Sequence, residues 1–143
     1  MRAKAMKTFR PSSSYQLDMP QQICEQCDGR VSSFWLDGRS LLLQLSSYIR
    51  GQGEQVGAQA RLSDRFAKHD RQWKVWGEKI YPDATIDQAT GEFIDENGLL
   101  WLHSYIVWPH LTIYSIISGP KDVVRDPENW AIQALKSIRL SAH

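Results

Sequence analysis

The chain has 143 residues, a net charge of +1 and 42% hydrophobic residues. That length supports a single hydrophobic core without disulfides or structural metal, and the composition lies far from disordered or collagen-like extremes. Near-neutrality excludes the cationic footprint of a duplex nucleic-acid binder, and the compositional outlier is six tryptophans, so the question becomes where that aromatic surface goes.

Arg2, Lys4, Lys7 and Arg10 mark the first ten residues, but no apolar stretch of signal-peptide length follows. Export is therefore not expected and a cytoplasmic location is. Residues 1–14, with the Ser-rich "RPSSS", read as a flexible lead-in to one domain over 15–143. In "YQLDMP", Tyr15, Leu17 and Met19 alternate with Gln16 and Asp18, a short strand stopped by Pro20.

Cys24 and Cys27 in "CEQCDG" have the spacing of half a zinc knuckle. No second C-x-x-C exists, and His69, His103 and His110 are not spaced as a ligand pair. Two reduced thiols are expected in the cytoplasm, with no metal and no cofactor.

Asp37-Gly38 predicts a two-residue hairpin turn. Pairing Leu36 with Arg39 sets Phe34 opposite Leu41 and places Leu41, Leu43 and Leu45 on one face, with Leu42, Gln44 and Ser46 on the other. Beyond Gly51 and Gly53 the period changes, and Ala58, Leu62, Phe66 and His69 recur at helical spacing. "QWKVWGEKIY" has strand composition, and "PDATIDQATG" reads as a polar loop.

The stretch from Glu96 to Pro120 divides at two turns. Asn97-Gly98 predicts a two-residue hairpin joining "EFIDE" to "LLWLHSYI", and "VWPH" predicts a second turn onto "LTIYSIIS". Pairing Glu96 with Leu99 sets Phe93 opposite Leu102, Ile94 opposite Trp101 and Glu92 opposite His103. Pairing Ile106 with Leu111 sets Leu102 opposite Ser115. One face then carries Phe93, Leu100, Leu102, Ile106, Leu111, Ile113 and Ile117, and is core. The other carries Glu92, Ile94, Trp101, His103, Tyr105, Thr112, Tyr114 and Ile116, with Trp108 at the turn. The run from Leu99 to Ile117 is broken by His103, Ser104, Pro109, His110 and Thr112, so it is not a membrane span. In "RDPENWAIQALKSIRL", Asp126 is the expected N-cap, Pro127 the first helical residue, and Ala131, Ala134, Leu135 and Ile138 the buried stripe, with Trp130 at its edge.

The order strand, hairpin, helix, meander, helix, opening with "YQLDMP" and closing with "NWAIQALKSIRL", resembles the PsbP-like fold. The resemblance implies an α+β domain with an antiparallel sheet of about six strands flanked by helices. That family includes a plant photosystem subunit, a nuclear transport factor and effector chaperones of type VI secretion, which act through surfaces. It therefore implies a binding module.

The signatures of P-loops, dinucleotide folds, nucleophile elbows and zincins are absent. The acidic set Asp83, Asp87, Glu92, Asp95 and Glu96 lacks the alternating oxygen spacing of a calcium loop. The candidate site is the aromatic face, with Trp101, His103, Tyr105, Trp108, Tyr114 and Glu92 as partner-binding residues. Either the C-terminal helix with Trp130 covers it, or it is open and suited to a protein partner. The expected function is a non-enzymatic protein-binding module, specifically a bacterial immunity protein that occludes a toxin acting in the cytoplasm, without nucleic-acid or membrane partners. Two alternatives stand beside it: a type VI secretion effector chaperone, and a small enzyme using His103 and Glu92.

Overall fold

The computed structural model describes residues 5–38, 41–50, 56–68 and 72–141. Strands β1 (Met6–Ser12), β2 (Tyr15–Pro20) and β10 (Arg139–Leu140) form a small antiparallel sheet in the order β1-β2-β10. Strands β3 (Cys24–Asp28), β4 (Val31–Trp35), β5 (Leu42–Ile49), β6 (Lys74–Val75), β7 (Asp87–Ile94), β8 (Leu99–Trp108) and β9 (Leu111–Pro120) form a second, in the order β3-β4-β5-β9-β8-β7-β6. Helices α1 (Ala58–Ala67), α2 (Lys121–Val124) and α3 (Trp130–Lys136) complete the α+β fold. Among the described residues, no helix is long and apolar enough to cross a membrane.

The core follows the alternation in the sequence. Leu43, Leu45, Leu100, Leu102, Ile106, Ile113 and Ile117 line one face of the large sheet and are buried. They join Leu17 and Met19 of β2, Val124 of α2, and Ala131, Ala134 and Leu135 of α3 in one cluster. The small sheet and the C-terminal helices thus share one side of the large sheet. Ser137 and Arg139 clamp that layer: the Ser137 hydroxyl accepts from the Asp18 N–H at 2.8 Å, and Arg139 pairs with the Asp18 carboxylate at 2.9 Å.

Several expectations are corrected. Residues 6–12, expected within a flexible lead-in, form β1, because Phe9 is buried edge-on against Phe34 and Thr8 donates to Asp18 at 2.8 Å. The "PDATIDQATG" segment becomes strand from Asp87 onward, where Ala89 and Thr90 are buried and the Gln88 amide bonds both backbone groups of Tyr81. In "QWKVWGEKIY" only Lys74 and Val75 are strand. Phe34 pairs with Leu43, two residues from the expected partner. A shift of two keeps every side chain on its face, so the burial of Leu41, Leu43 and Leu45 survives the longer connection. Arg39 and His69 lie outside the described residues. The β8–β9 turn is likewise offset by two, with Trp108 opposite Leu111.

The cap of the last helix moves from Asp126 to Asn129. Asp126 instead closes a turn, its carboxylate accepting from the Glu128 N–H at 2.9 Å. The buried Asn129 amide accepts from the Ile132 N–H at 2.8 Å and donates to the Val123 and Val124 carbonyls at 3.1 and 2.9 Å. One side chain thereby caps α3 and satisfies the end of α2. Asn129→Ala is expected to cost about 2 kcal/mol, read as a lower urea midpoint with an unchanged slope.

Candidate functional site

The β7–β8 hairpin decides the site. A two-residue turn at Asn97-Gly98 would need positive φ at both residues, but Asn97 has none and only Gly98 does, at 80°. The connection is instead a type I turn from Asp95 to Gly98 closed by a bulge. Gly98 N–H donates to the Asp95 carbonyl at 3.0 Å, and Asp95 N–H donates to the Leu99 carbonyl at 2.9 Å. The Asp95 carboxylate accepts from the N–H groups of Asn97 and Leu99 and from the Trp101 indole at 2.9, 3.0 and 2.9 Å. The result is a register one residue from the expected one: Phe93 pairs with Trp101, Glu92 with Leu102 and Gly91 with His103.

A one-residue slip exchanges the faces of a strand. Phe93 therefore joins the aromatic face, stacked on Trp101 at 6.2 Å and 7°. Glu92 and Ile94 leave it. The expected Glu92–His103 neighbourhood does not exist, because the two side chains project from opposite sides of the sheet. Trp108 is also on the other face, in the main core, edge-on to Tyr81 at 5.4 Å.

Half of the aromatic face is covered, by α1 and not by the C-terminal helices. Leu62 and Phe66 of α1 are buried with Ala89, Tyr105, Val107 and Tyr114 in a second cluster. Phe66 stacks on Trp73 at 4.3 Å and contacts the rings of His103 and Phe93 at 5.1 and 6.0 Å. Close approach is possible because Gly91 lies beneath: a Cβ there would stand 2.8 Å from the Phe66 ring. The start of α1 is held by Asp87, whose carboxylate accepts from the Ala58 N–H at 2.9 Å.

Beneath α1, Tyr105 and Tyr114 stack at 4.5 Å, and the Tyr114 hydroxyl hydrogen-bonds His103 Nδ1. Arg65 lies over the Tyr114 ring at 4.5 Å and donates to the Tyr105 hydroxyl at 3.2 Å. Burial holds the Tyr114 phenol above its ordinary value, against the opposing Arg65 charge, so it stays protonated. His103, Tyr105 and Tyr114 are all buried and serve this packing.

Beyond α1 the face opens. Trp101, Phe93 and Ile116 are half-buried, and the cross-strand row continues from Trp101 through Ser118 to Leu42 and Trp35, also half-buried. Hollows of about 440 and 290 Å³ share Arg65, Tyr114 and Ile116, making one groove along the edge of α1. Of the six expected partner-binding residues, Trp101 alone keeps substantial exposure in this groove. Phe93, Ile116 and Arg65 belong with it.

Glu92 has a different setting. Its carboxylate is buried, accepting from the Trp76 indole at 2.8 Å and pairing with Arg125 at 2.8 Å. Burial alone would raise its pKa, but the hydrogen bonds and charge of Arg125, with the Trp76 bond, hold it below its ordinary value. A depressed folded-state pKa contributes stability above the unfolded value of about 4.3, and that contribution disappears as pH falls through the lower folded-state value. Glu92→Gln is therefore expected to be less stable than the native chain near neutrality, with the gap closing below about pH 4. Urea titrations at several pH values check this; a gap that stays constant with pH overturns it.

The remaining candidates have structural employment. Cys24 and Cys27 lie three residues apart on edge strand β3 and so face opposite ways, Cys24 toward Asp37 at 3.7 Å and Cys27 toward Ser32 at 3.5 Å. No cluster of three or more metal-ligating side chains occurs among the described residues. The acidic set is dispersed: Asp83 closes a turn with Thr85, Asp87 caps α1, Glu92 pairs with Arg125, and Asp95 builds the hairpin.

No protein-family model matches the sequence, and none of the curated proteins does. Solved structures do. The solution structure of the cyanobacterial PsbP protein CyanoP, from Synechocystis sp. PCC 6803, superposes with a TM-score of 0.69 over 98% of this chain and 95% of that one, at 13% identity. The fold is PsbP-like. A crystal structure from Bacteroides thetaiotaomicron VPI-5482 aligns with a TM-score of 0.56 at 14% identity, over 90% of this chain and 46% of that one. At these identities the likeness shows the PsbP-like architecture alone. Within it, the open groove beside α1 is built from this chain's own side chains.

Proposed function

We propose that the protein is a non-enzymatic binding module whose partner is another protein, engaged through the half-open aromatic face. The observation that carries this reading is the patch of Phe93, Trp101 and Ile116, which α1 leaves half-exposed and the Arg65 guanidinium borders. Tryptophan and arginine at the edge of an apolar strip supply large contact area together with polar handles. The specific reading is an immunity protein that occludes a toxin in the cytoplasm. It is supported by the absence of catalytic signatures and the near-neutral charge of the chain. The expected result is a tight complex with the product of a neighbouring toxin gene and protection on co-expression. A non-toxic neighbour, with no complex and no protection, defeats it.

The apolar strip also favours a second reading, a type VI secretion chaperone that shelters an apolar effector segment. Effector fragments containing such a segment, compared with folded toxin domains in the same pull-down, separate the two. The reading as an enzyme built on His103 and Glu92 loses its footing, because the two residues occupy opposite faces.

A further inference from the structure

Away from the aromatic face, a cleft of about 650 Å³ opens between the segment from Lys74 to Ile80 and the C-terminal helices. That volume lies within the range of small-molecule sites. Its apolar wall includes Trp76, Ile80 and Ile132, the last two buried. Its charged lining is unbalanced: Lys74, Lys79, Arg125 and Lys136 face only two carboxylates, Glu78 and Glu92. The excess of two positive charges is larger than the net charge of the whole chain, +1. Glu92 is moreover committed to Arg125 and Trp76.

The cleft is organised before any ligand arrives. Trp76 is held by its backbone N–H, which donates to the Thr90 carbonyl at 2.8 Å, and by its indole N–H on Glu92. The bond to Glu92 occupies one guanidinium nitrogen of Arg125, and its side chain remains 46% exposed. A tryptophan anchored at its backbone and at its indole N–H offers a flat apolar surface beside ammonium and guanidinium groups that come from three separate segments. We propose that this cleft binds a small organic anion, with a flat apolar body against Trp76, Ile80 and Ile132 and a phosphate- or carboxylate-type head among Lys74, Lys79, Arg125 and Lys136. This site is independent of the protein-binding face, on the opposite side of the sheet.

The test titrates the full chain with 1-naphthyl phosphate, 1-naphthol and inorganic phosphate, following the Trp76 indole N–H and the amides of residues 74–80 by NMR. Naphthyl phosphate is expected to move these signals saturably and to bind at least about tenfold more tightly than either the neutral ring or the bare anion, since one charge-assisted contact is worth about a factor of ten. Charge reversal at two exposed sites, Lys79→Glu with Lys136→Glu, is expected to weaken naphthyl phosphate at least about tenfold by the same reasoning, while naphthol is unaffected. Lys68→Glu, on the α1 side, is the control and should change nothing. Three results overturn the proposal: no saturable shift of Trp76, shifts confined to the Trp101 groove, or equal affinity in the charge-reversed protein. Inorganic phosphate binding as tightly as naphthyl phosphate would reject the apolar half of the site.

Discussion

Phe66→Ala is expected to destabilise the protein by about 3–4 kcal/mol, among the largest effects of any single truncation in the chain. Phe66 is 1% exposed and touches Trp73, Phe93 and His103 together. Its removal takes out the transfer energy of a buried aromatic ring and leaves a cavity that the rigid sheet below cannot close. At this chain length the loss corresponds to a fall of about 10 °C in melting temperature. The complementary change, Gly91→Val, should cost about 1–3 kcal/mol by overpacking, since a Cβ at Gly91 already meets the Phe66 ring at 2.8 Å. Denaturation curves check both. If Phe66→Ala cost less than about 1 kcal/mol, α1 would not be what seals this half of the face.

The second large effect concerns the open half. Trp101→Ala combined with Ile116→Asp is expected to weaken the partner complex by at least about 2 kcal/mol, roughly thirtyfold in Kd. Both residues are half-buried in the free protein, so the doubly substituted chain should remain folded. Tyr105→Phe serves as the internal comparison: it removes the hydroxyl that Arg65 contacts, but at a residue only 4% exposed. Calorimetric titration of the native chain and the variants with the partner distinguishes the cases. Loss of affinity in Tyr105→Phe but not in the Trp101 and Ile116 variant would mean that the partner binds elsewhere.

Burial gives these two predictions their different character. Where α1 covers the sheet, aromatic side chains are spent on stability and their truncation should register in folding. Where the sheet is bare, similar side chains contribute little to the fold and their truncation should register in association.

Much of the architecture follows from local pattern. Tyr15, Leu17 and Met19 alternate into the core as their spacing implies, and Ala58, Leu62 and Phe66 form one buried stripe of α1. Two register offsets, at Phe34 with Leu43 and at Trp108 with Leu111, leave the faces as the alternation implies, because a shift of two preserves the face. The offset that mattered was by one residue, at Asp95–Leu99. Its signal was present, since an aspartate opening a four-residue turn that ends in glycine favours the type I form. Asn-Gly alone points to the shorter turn, and only the set of bonds to the Asp95 carboxylate shows which turn is formed.

The sequence by itself determined the α+β class, the antiparallel meander, the aliphatic core face and the wealth of aromatic side chains on the other. These depend on periodicity, which is local. The exchange of Phe93 for Glu92 on that face follows from the local turn at Asp95–Gly98. Tertiary structure alone decided which helix covers the aromatic face, that Trp108 packs in the main core, and that Glu92 is buried against Arg125 and Trp76. Those outcomes turn on contacts between segments far apart in the chain, such as Phe66 above Gly91 and Arg125 beside Glu92. No spacing rule reaches across that distance; packing and the pairing of buried charge select them.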